Sequence, residues 1–211
     1  MKSLGARVAG ERLERMRASA LWAGEGFRNQ HPIAPGLRDP QARMPSLGDF
    51  LCGGTRRVPS APLPAHDPRG LWLKPPDSGL RATWLGHSTV LVEIDGVRLL
   101  TDPVWGQRAS PSQLAGPKRF QPMPVALKMM PAVDAVLISH DHYDHLCYPT
   151  IRALAKTQVP FITSLGVGAH LQSWGVEPQR ITELEGGKAT ACRAAGSKSR
   201  RRRRSTFRGA G

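Results

Sequence analysis

Clusters of apolar and β-branched residues, separated by turn residues, predict a β-sheet in the middle of the chain. The stretches Thr89–Ile94 and Val97–Thr101 are rich in Val, Ile, Leu and Thr, a composition typical of strands. Asp95 and Gly96 lie between them, and this pair favours a tight hairpin turn. Short apolar runs predict the other strands, at residues 83–85, 133–139, 159–163 and 181–184.

Helical patterns occur in three places. In residues 1–25, apolar side chains lie near helical spacing with Arg and Glu between them, which predicts one peripheral amphipathic helix. Residues 151–156 predict a short helix with Thr150 or a neighbour as its cap, and residues 168–174 predict a helix that ends at Gly175. Because strands and helices alternate, we expect an α/β fold in which helices cover a sheet.

Composition divides the chain into an N-terminal extension (residues 1–78), a central domain (79–185) and a basic tail (186–211). Residues 27–77 are crowded with Pro and Gly and lack periodicity, so we expect an irregular extension. The formal charge is +14, but the tail holds nine basic residues and no acidic one, which leaves +5 for residues 1–185. The excess charge therefore belongs to a tail that we expect to be disordered.

The sequence also argues against two classes of protein. It contains no stretch of 18 apolar residues, so we expect no transmembrane segment, and its N-terminus lacks the apolar core of a secretory signal. Cys52, Cys147 and Cys192 are too few and too scattered for a disulfide framework. Together these features predict a cytoplasmic location.

Side chains that can bind a metal ion are concentrated in residues 140–145, which read His-Asp-His-Tyr-Asp-His directly after a predicted strand. In extended backbone His140 and His142 point to the same side, which can place two imidazoles on one metal ion. Asp144 and His145 turn toward a second position. Imidazole and carboxylate ligands suit zinc, and also manganese or iron.

This run resembles the signature of the metallo-β-lactamase superfamily. The flanking residues 82–105 are similar to the branch that contains N-acyl-phosphatidylethanolamine-hydrolysing phospholipase D and its bacterial relatives, and more distantly to ascorbate-phosphate lactonases. The resemblance covers about residues 79–185, with a weaker similarity near the N-terminus. It implies that these residues form the N-terminal half of an αββα sandwich.

The resemblance also implies roles for individual residues, around two metal ions that are zinc by preference. Asp144 is expected to be both a metal ligand and a catalytic residue. Asp141, the second candidate catalytic residue, is expected to orient a ligand imidazole rather than to bind metal directly. His87 in the Gly-His-Ser turn and Asp102 at the end of its strand are candidate site-lining residues.

The metal cluster implied by the resemblance is incomplete in this sequence. A dinuclear site of the superfamily needs two more histidines and a bridging aspartate downstream, whereas His170 is the one histidine after His145 and no aspartate follows Asp144. Back-translation of residues 205–211 in a displaced frame can read Gln-His-Phe-Ser-Gly-Arg-Gly, a motif of the bacterial relatives. We therefore expect that the chain is truncated or frameshifted from about Gly186 onward. The alternative is a genuine basic tail, and the sequence of the encoding DNA would distinguish the two.

These features favour metal-dependent hydrolysis of phosphodiester (phospholipase D-like) or related ester bonds, with a small molecule or a lipid as the substrate. We expect this activity to be impaired in this chain. A lactonase-type metallo-hydrolase of the same superfamily is one alternative. A non-catalytic remnant with a nucleic-acid-binding tail is another, because the five adjacent arginines at 200–204 can neutralise several phosphates without reading sequence.

Overall fold

The computed structural model describes residues 2–29, 58–186, 188–191 and 206–208. At its centre lies a six-stranded mixed sheet whose strands are neighbours in chain order. Strands β1, β2 and β3 are antiparallel to one another, whereas β3, β4, β5 and β6 run parallel. The strands are β1 (Leu80–Gly86), β2 (Thr89–Ile94), β3 (Val97–Thr101), β4 (Ala135–Ile138), β5 (Phe161–Ser164) and β6 (Ile181–Leu184).

The antiparallel half of the sheet begins with the expected hairpin. Asp95 and Gly96 have φ angles of 49° and 78°, so both central residues of the turn are left-handed, as a type I′ turn requires. This turn aligns Ile94 with Val97 and sets the register of β2 on β3. The predicted hairpin is confirmed.

Within the described residues, three short α-helices accompany the sheet: α1 (Gly10–Arg17), α2 (Tyr148–Leu154) and α3 (Gly168–Ser173). Helix α2 begins earlier than expected, because Pro149 lies in its first turn, where a fixed φ and a missing N–H cost nothing. Thr150 therefore lies inside the helix and is buried, with its hydroxyl donating to Cys147 Sγ and accepting from the backbone N–H of Trp105. The assignment of Thr150 as a cap is wrong.

Helix α3 ends as the sequence predicts. Gly175 has a φ of 98°, and its N–H donates to Gln172 O while the N–H of Val176 donates to Leu171 O. This pair of hydrogen bonds is the Schellman motif, which satisfies the last carbonyl groups of a helix. Val176 is buried behind the turn and joins the core.

One hydrophobic core joins the sheet to the helices. It includes Phe161 from β5, Ile151 from α2 and Leu171 from α3. Trp72, from a 3₁₀ segment at Arg69–Leu73, is also buried in this core, and its indole N–H donates to Thr83 on β1. The region expected to be irregular therefore contributes one large side chain to the packing of the sheet.

The ends of the chain differ in part from the expected pattern. Residues Ala189–Ala191 (β7) and Thr206–Arg208 (β8) pair as two short antiparallel strands, where the sequence predicts a disordered tail. The arginine run at 200–204 and the positions Cys52 and Cys192 lie outside the described residues. In the parts of the chain that the structure describes, no helix has the length and apolar character needed to cross a membrane.

Candidate metal centre

The candidate residues gather at the carboxyl ends of the central strands. Asp102 follows β3, and residues 140–145, which we term the histidine loop, follow β4 after Ser139. His87 lies in the turn between β1 and β2. Because β3 and β4 are parallel neighbours, their carboxyl ends lie side by side, which is the usual place for a site in a sheet of this kind.

Asp102 is the centre of a hydrogen-bond network beneath the histidine loop. Its Oδ1 accepts the backbone N–H of Ser139 at 2.7 Å, and its Oδ2 accepts the Ser139 hydroxyl at 2.8 Å and His145 Nδ1–H at 2.9 Å. The residue is 8% exposed and its backbone has a φ of 38°, in the left-handed region. A non-glycine residue held in that region at a site is a sign of functional constraint.

These contacts decide which nitrogen of two imidazoles carries the proton. Since His145 Nδ1–H donates to Asp102, the Nε2 of His145 is left with a free lone pair. Ser139 already gives its hydroxyl proton to Asp102, so His140 Nδ1, 2.9 Å away, must donate to the Ser139 oxygen. His140 Nε2 is therefore also available as a metal ligand. One buried carboxylate orients both histidines, a common arrangement behind metal-binding imidazoles.

His87, Asp144 and His145 form a group of three metal-binding side chains. Among the described residues it is the one set of three or more His, Cys, Asp or Glu whose ligand atoms all lie within 4.8 Å of one another. His87 Nε2 lies 3.1 Å and His145 Nε2 3.8 Å from Asp144 Oδ2. Two ligands on a tetrahedral zinc ion are roughly 3.3 Å apart, so the donors fit one ion with an open fourth position.

The β1–β2 turn holds His87 in this group by specific contacts. His87 has a φ of 50°, and its carbonyl accepts the indole N–H of Trp84 at 2.8 Å. The hydroxyl of Ser88 donates to the carbonyl of Asp144 at 2.8 Å, which ties the turn to the histidine loop. His87 was expected to line the site, and the structure places it among the candidate ligands.

The other members of the histidine loop lie outside this three-residue group, although the ring of His140 is 4.1 Å from that of His145 between centroids. The rings of His140 and His142 are 4.6 Å apart between centroids, as expected for side chains on one side of the backbone, but neither belongs to the three-residue group. Asp141 lies 3.8 Å from the Nε2 of His170 on α3 rather than beside one of the predicted ligands. Its expected role as orienter of a ligand imidazole stays a prediction.

Burial and neighbouring charges shift the pKa values of two site residues in ways that suit metal binding. Burial lowers the pKa of His140, and the nearby His145 and His142 lower it further, so the neutral form is favoured. For Asp144, burial acts to raise the pKa, but the hydrogen bond from His87 and the charges of His145 and His87 outweigh it and lower the pKa. A neutral imidazole and an ionised carboxylate are the forms that bind metal.

A groove of about 750 Å³ opens beside the group and has His87 and Asp144 in its wall. Most of its surface is apolar, from side chains that include Trp84, Leu71 and Phe120. Two cationic residues, Lys118 and Arg119, also line the groove. Ser139 and Trp84, which orient the candidate ligands, were missed, although both are close in sequence to a site histidine.

Similarity to known proteins agrees with this geometry. A family model described as a β-lactamase superfamily domain matches residues 97–202, half of the chain. An uncharacterized protein of Mycobacterium tuberculosis is 56% identical over 160 residues, which are 75% of this chain and 42% of that protein. N-acyl-phosphatidylethanolamine-hydrolyzing phospholipase D 1 of Caenorhabditis elegans is 41% identical over 119 residues, 54% of this chain and 33% of that enzyme.

A UPF0173 metal-dependent hydrolase of Methanopyrus kandleri is 32% identical over 98 residues, 46% of this chain and 36% of that protein. The chain thus spans less than half the length of each of these relatives. The crystal structure of an isothiocyanate hydrolase from Delia radicum gut bacteria is similar over 52% of this chain and 42% of that one, with 24% identity and a TM-score of 0.41. Because the family match spans half of the chain and includes the histidine loop with the strand that precedes it, the chain belongs to the metallo-β-lactamase superfamily.

Proposed function

We propose that the chain is a metal-dependent hydrolase of phosphodiester bonds, with zinc held by His87, Asp144 and His145. The observation that carries the proposal is the convergence of these three donors on one position, with Asp102 orienting His145 from behind. A divalent ion bound there would supply a Lewis acid and lower the pKa of water to about 7. A second ion at His140 and His142, and manganese or iron in place of zinc, remain part of the proposal.

The chain's own residues would position the reaction. Asp102 keeps the Nδ1 proton on His145 and so holds the imidazole in one orientation. Ser88 and Trp84 fix the turn that carries His87 against the histidine loop. The groove would bind the apolar part of the substrate next to Asp144 and exclude water around it.

The choice of a phosphodiester rests on similarity to relatives and on charge. One relative, from Caenorhabditis elegans, is named as a phospholipase D, an enzyme that cleaves phosphodiesters, and this supports the choice. The two cations Lys118 and Arg119 in the groove wall also suit a substrate with a negative charge. A small-molecule or lipid diester would fit this combination of an apolar groove and cationic side chains. A cytoplasmic location is part of the same proposal.

The first experiment measures metal content and turnover on the same preparation. We expect bound zinc by elemental analysis, and hydrolysis of bis-p-nitrophenyl phosphate above the metal-free background that is removed by a chelator and restored by zinc. The rate is expected to be low, because the sequence lacks ligands that a complete dinuclear site of the superfamily would have.

A matched pair of variants makes the assignment specific. Asp144→Asn should lower both zinc content and turnover to background, since an amide is a poorer metal ligand than a carboxylate. Asp77→Asn changes the charge equally at an exposed turn outside the site and should leave both unchanged. Wild-type zinc content in the Asp144 variant would show that the three-residue group is not the metal site.

A further inference from the structure

The guanidinium group of Arg119 lies between two segments that carry site residues. Its Nη2 donates to the carbonyl of Val104 at 2.6 Å, two residues after Asp102. A Cβ built on Gly86, the residue before His87, would lie 3.2 Å from its Nη1. The guanidinium therefore lies between the two segments that carry His87 and Asp102, in the wall of the groove that His87 and Asp144 also line.

The positive charge of Arg119 is not neutralised by an ion pair. Across the described residues, no carboxylate lies within salt-bridge distance of it, in contrast to Arg81 and Arg98, which share Glu93, and to Arg12, which pairs with Glu183. Its Nε is buried and has no hydrogen-bond partner in the same part of the chain. Burial lowers the pKa of this arginine, because a half-buried cation loses part of its hydration, and the nearby Cys147 offsets this effect only in part.

A partly buried cation without an ion pair lowers the stability of the fold unless an anion or a hydrogen-bond acceptor binds to it. A buried donor without a partner loses its hydrogen bonds to water, and a single contact to a carbonyl leaves most of the five donors of a guanidinium unused. Arginine matches the paired oxygens of a phosphate or carboxylate with two parallel hydrogen bonds. The neighbouring Lys118 is exposed and has the same charge, so it lacks the feature that singles out Arg119.

We propose that Arg119 binds the anionic oxygen atoms of the substrate and thereby makes the site specific for phosphodiester monoanions over neutral esters. The inference rests on the proposed function and names the side chain that selects the substrate charge. His87, Asp144 and His145 would hold the ion that polarises the reacting group, while Arg119 would hold a non-reacting oxygen from the groove side. In this role Arg119 is a specificity-determining residue that touches the substrate.

The test measures binding of an inert probe to the protein as purified with its metal. Dibutyl phosphate carries one negative charge and two apolar chains, and tributyl phosphate is its neutral counterpart. We expect Arg119→Gln to weaken binding of dibutyl phosphate about 10- to 100-fold, the range for hydrogen bonds to a charged group. Binding of tributyl phosphate should change less than about threefold.

Lys156→Gln is the matched control, because it removes the same charge from an exposed side chain outside the groove. We expect it to weaken dibutyl phosphate binding less than about threefold, as an exposed charge screened by salt would. Equal losses in the two variants, unchanged binding in Arg119→Gln, equal loss for the neutral probe, or no binding of dibutyl phosphate to the wild type would each overturn the inference.

A second variant covers the case in which loss of the Val104 contact unfolds the loop. Arg119→Lys keeps the charge but not the paired donors, so it should bind dibutyl phosphate with intermediate affinity while its thermal midpoint stays near that of the wild type. Full affinity in this variant would show that charge alone suffices and would overturn the paired contact. If binding of dibutyl phosphate depends on Arg119 but no phosphodiester is hydrolysed, the proposed function is refuted and the assignment of Arg119 as an anion-binding residue is retained.

Discussion

Asp102 links three groups of the site through a single carboxylate. It accepts the backbone N–H and the hydroxyl of Ser139 and the Nδ1 proton of His145, and Ser139 in turn accepts from His140. The sequence placed Asp102 near the site because it ends a predicted strand. It could not show these contacts, since Asp102 and His145 are 43 residues apart and meet only when β3 and β4 pair.

We predict that Asp102→Asn lowers zinc affinity roughly 10- to 100-fold, the usual cost of losing an orienting carboxylate. An amide presents one acceptor oxygen instead of two, so it cannot accept from both the Ser139 N–H and His145 Nδ1–H. Competition with a chromophoric chelator measures the affinity. Asp95→Asn in the hairpin turn is the control, because asparagine tolerates the left-handed φ of 49° found there. Wild-type affinity in Asp102→Asn would mean that the network does not support the metal.

At the scale of elements, the N-terminal segment is docked against α3 and β6. Arg12 donates to the buried Glu183 at 2.8 Å, and Glu183 also accepts the backbone N–H groups of Gly166 and Gly168. The backbone N–H of Ala6 donates to His170 Nδ1, whose ring faces Asp141. The periodicity of residues 1–25 predicted a peripheral helix, but its partners depend on contacts more than 150 residues away.

Gly5 and Gly10 offer a test of this docking. A Cβ on Gly5 would lie 1.9 Å from His170 Nδ1, whereas a Cβ on Gly10 meets nothing within 4 Å. Both have positive φ angles, of 74° and 57°, so alanine strains the backbone at either position. We expect Gly5→Ala to destabilise the protein by about 1–3 kcal/mol more than Gly10→Ala, because His170 must move. Denaturant midpoints and hydrogen exchange of residues 2–17 measure the difference, and equal effects would exclude the clash.

The antiparallel strands are joined by a buried carboxylate between two arginines. Glu93 on β2 faces Arg81 on β1 and Arg98 on β3, at N–O distances of 2.5 and 3.1 Å. Both arginines also donate to carbonyls of the preceding segment, at Lys74 and Trp72. The sequence placed Glu93 and Arg98 in predicted strands and Arg81 just before one, but the register of both hairpins decides that the three residues meet.

This triad predicts an acid-dependent loss of stability. Burial acts to raise the pKa of Glu93, but hydrogen bonds from Arg81 and Arg98 outweigh it, so the pKa of Glu93 in the folded protein lies below its ordinary value. The stabilisation is therefore present above the unfolded pKa of about 4.3 and is lost as the pH falls through the lower folded value.

Urea midpoints measured from pH 7 to pH 3 should fall more steeply for the wild type than for Glu93→Gln, which has no proton to gain. Glu177→Gln removes an exposed carboxylate and should keep the wild-type profile. A Glu93→Gln profile parallel to that of the wild type would show that the triad contributes nothing to the acid sensitivity.

At the scale of the whole molecule, one face of the antiparallel strands is apolar and partly exposed. Leu80, Trp84 and Ile94 are 53%, 65% and 37% exposed, and the register places Leu80 opposite Ile94 at the end of the hairpin away from the site. A contiguous apolar surface on an edge strand promotes association.

We expect the chain to self-associate at micromolar concentration, and Leu80→Lys to shift it toward the monomer because a charge resists burial between copies. Leu114→Lys is the control, since Leu114 is 92% exposed in a loop away from the sheet. Sedimentation velocity gives the result. A wild type that is monomeric across the concentration range would contradict the role assigned to this face.

The sequence by itself determined the order of strands and helices, the hairpin at Asp95 and Gly96 and the histidine loop after β4. These features are local, because periodicity, turn residues and ligand spacing act over a few positions along the backbone. Only the tertiary structure decided that His87 joins Asp144 and His145 and that Asp102 orients two histidines. It also decided that Arg119 lies beside them without an ion pair to any carboxylate among the described residues. Those relations depend on which strand ends become neighbours and on which side chains are removed from water, and packing of the whole sheet sets both.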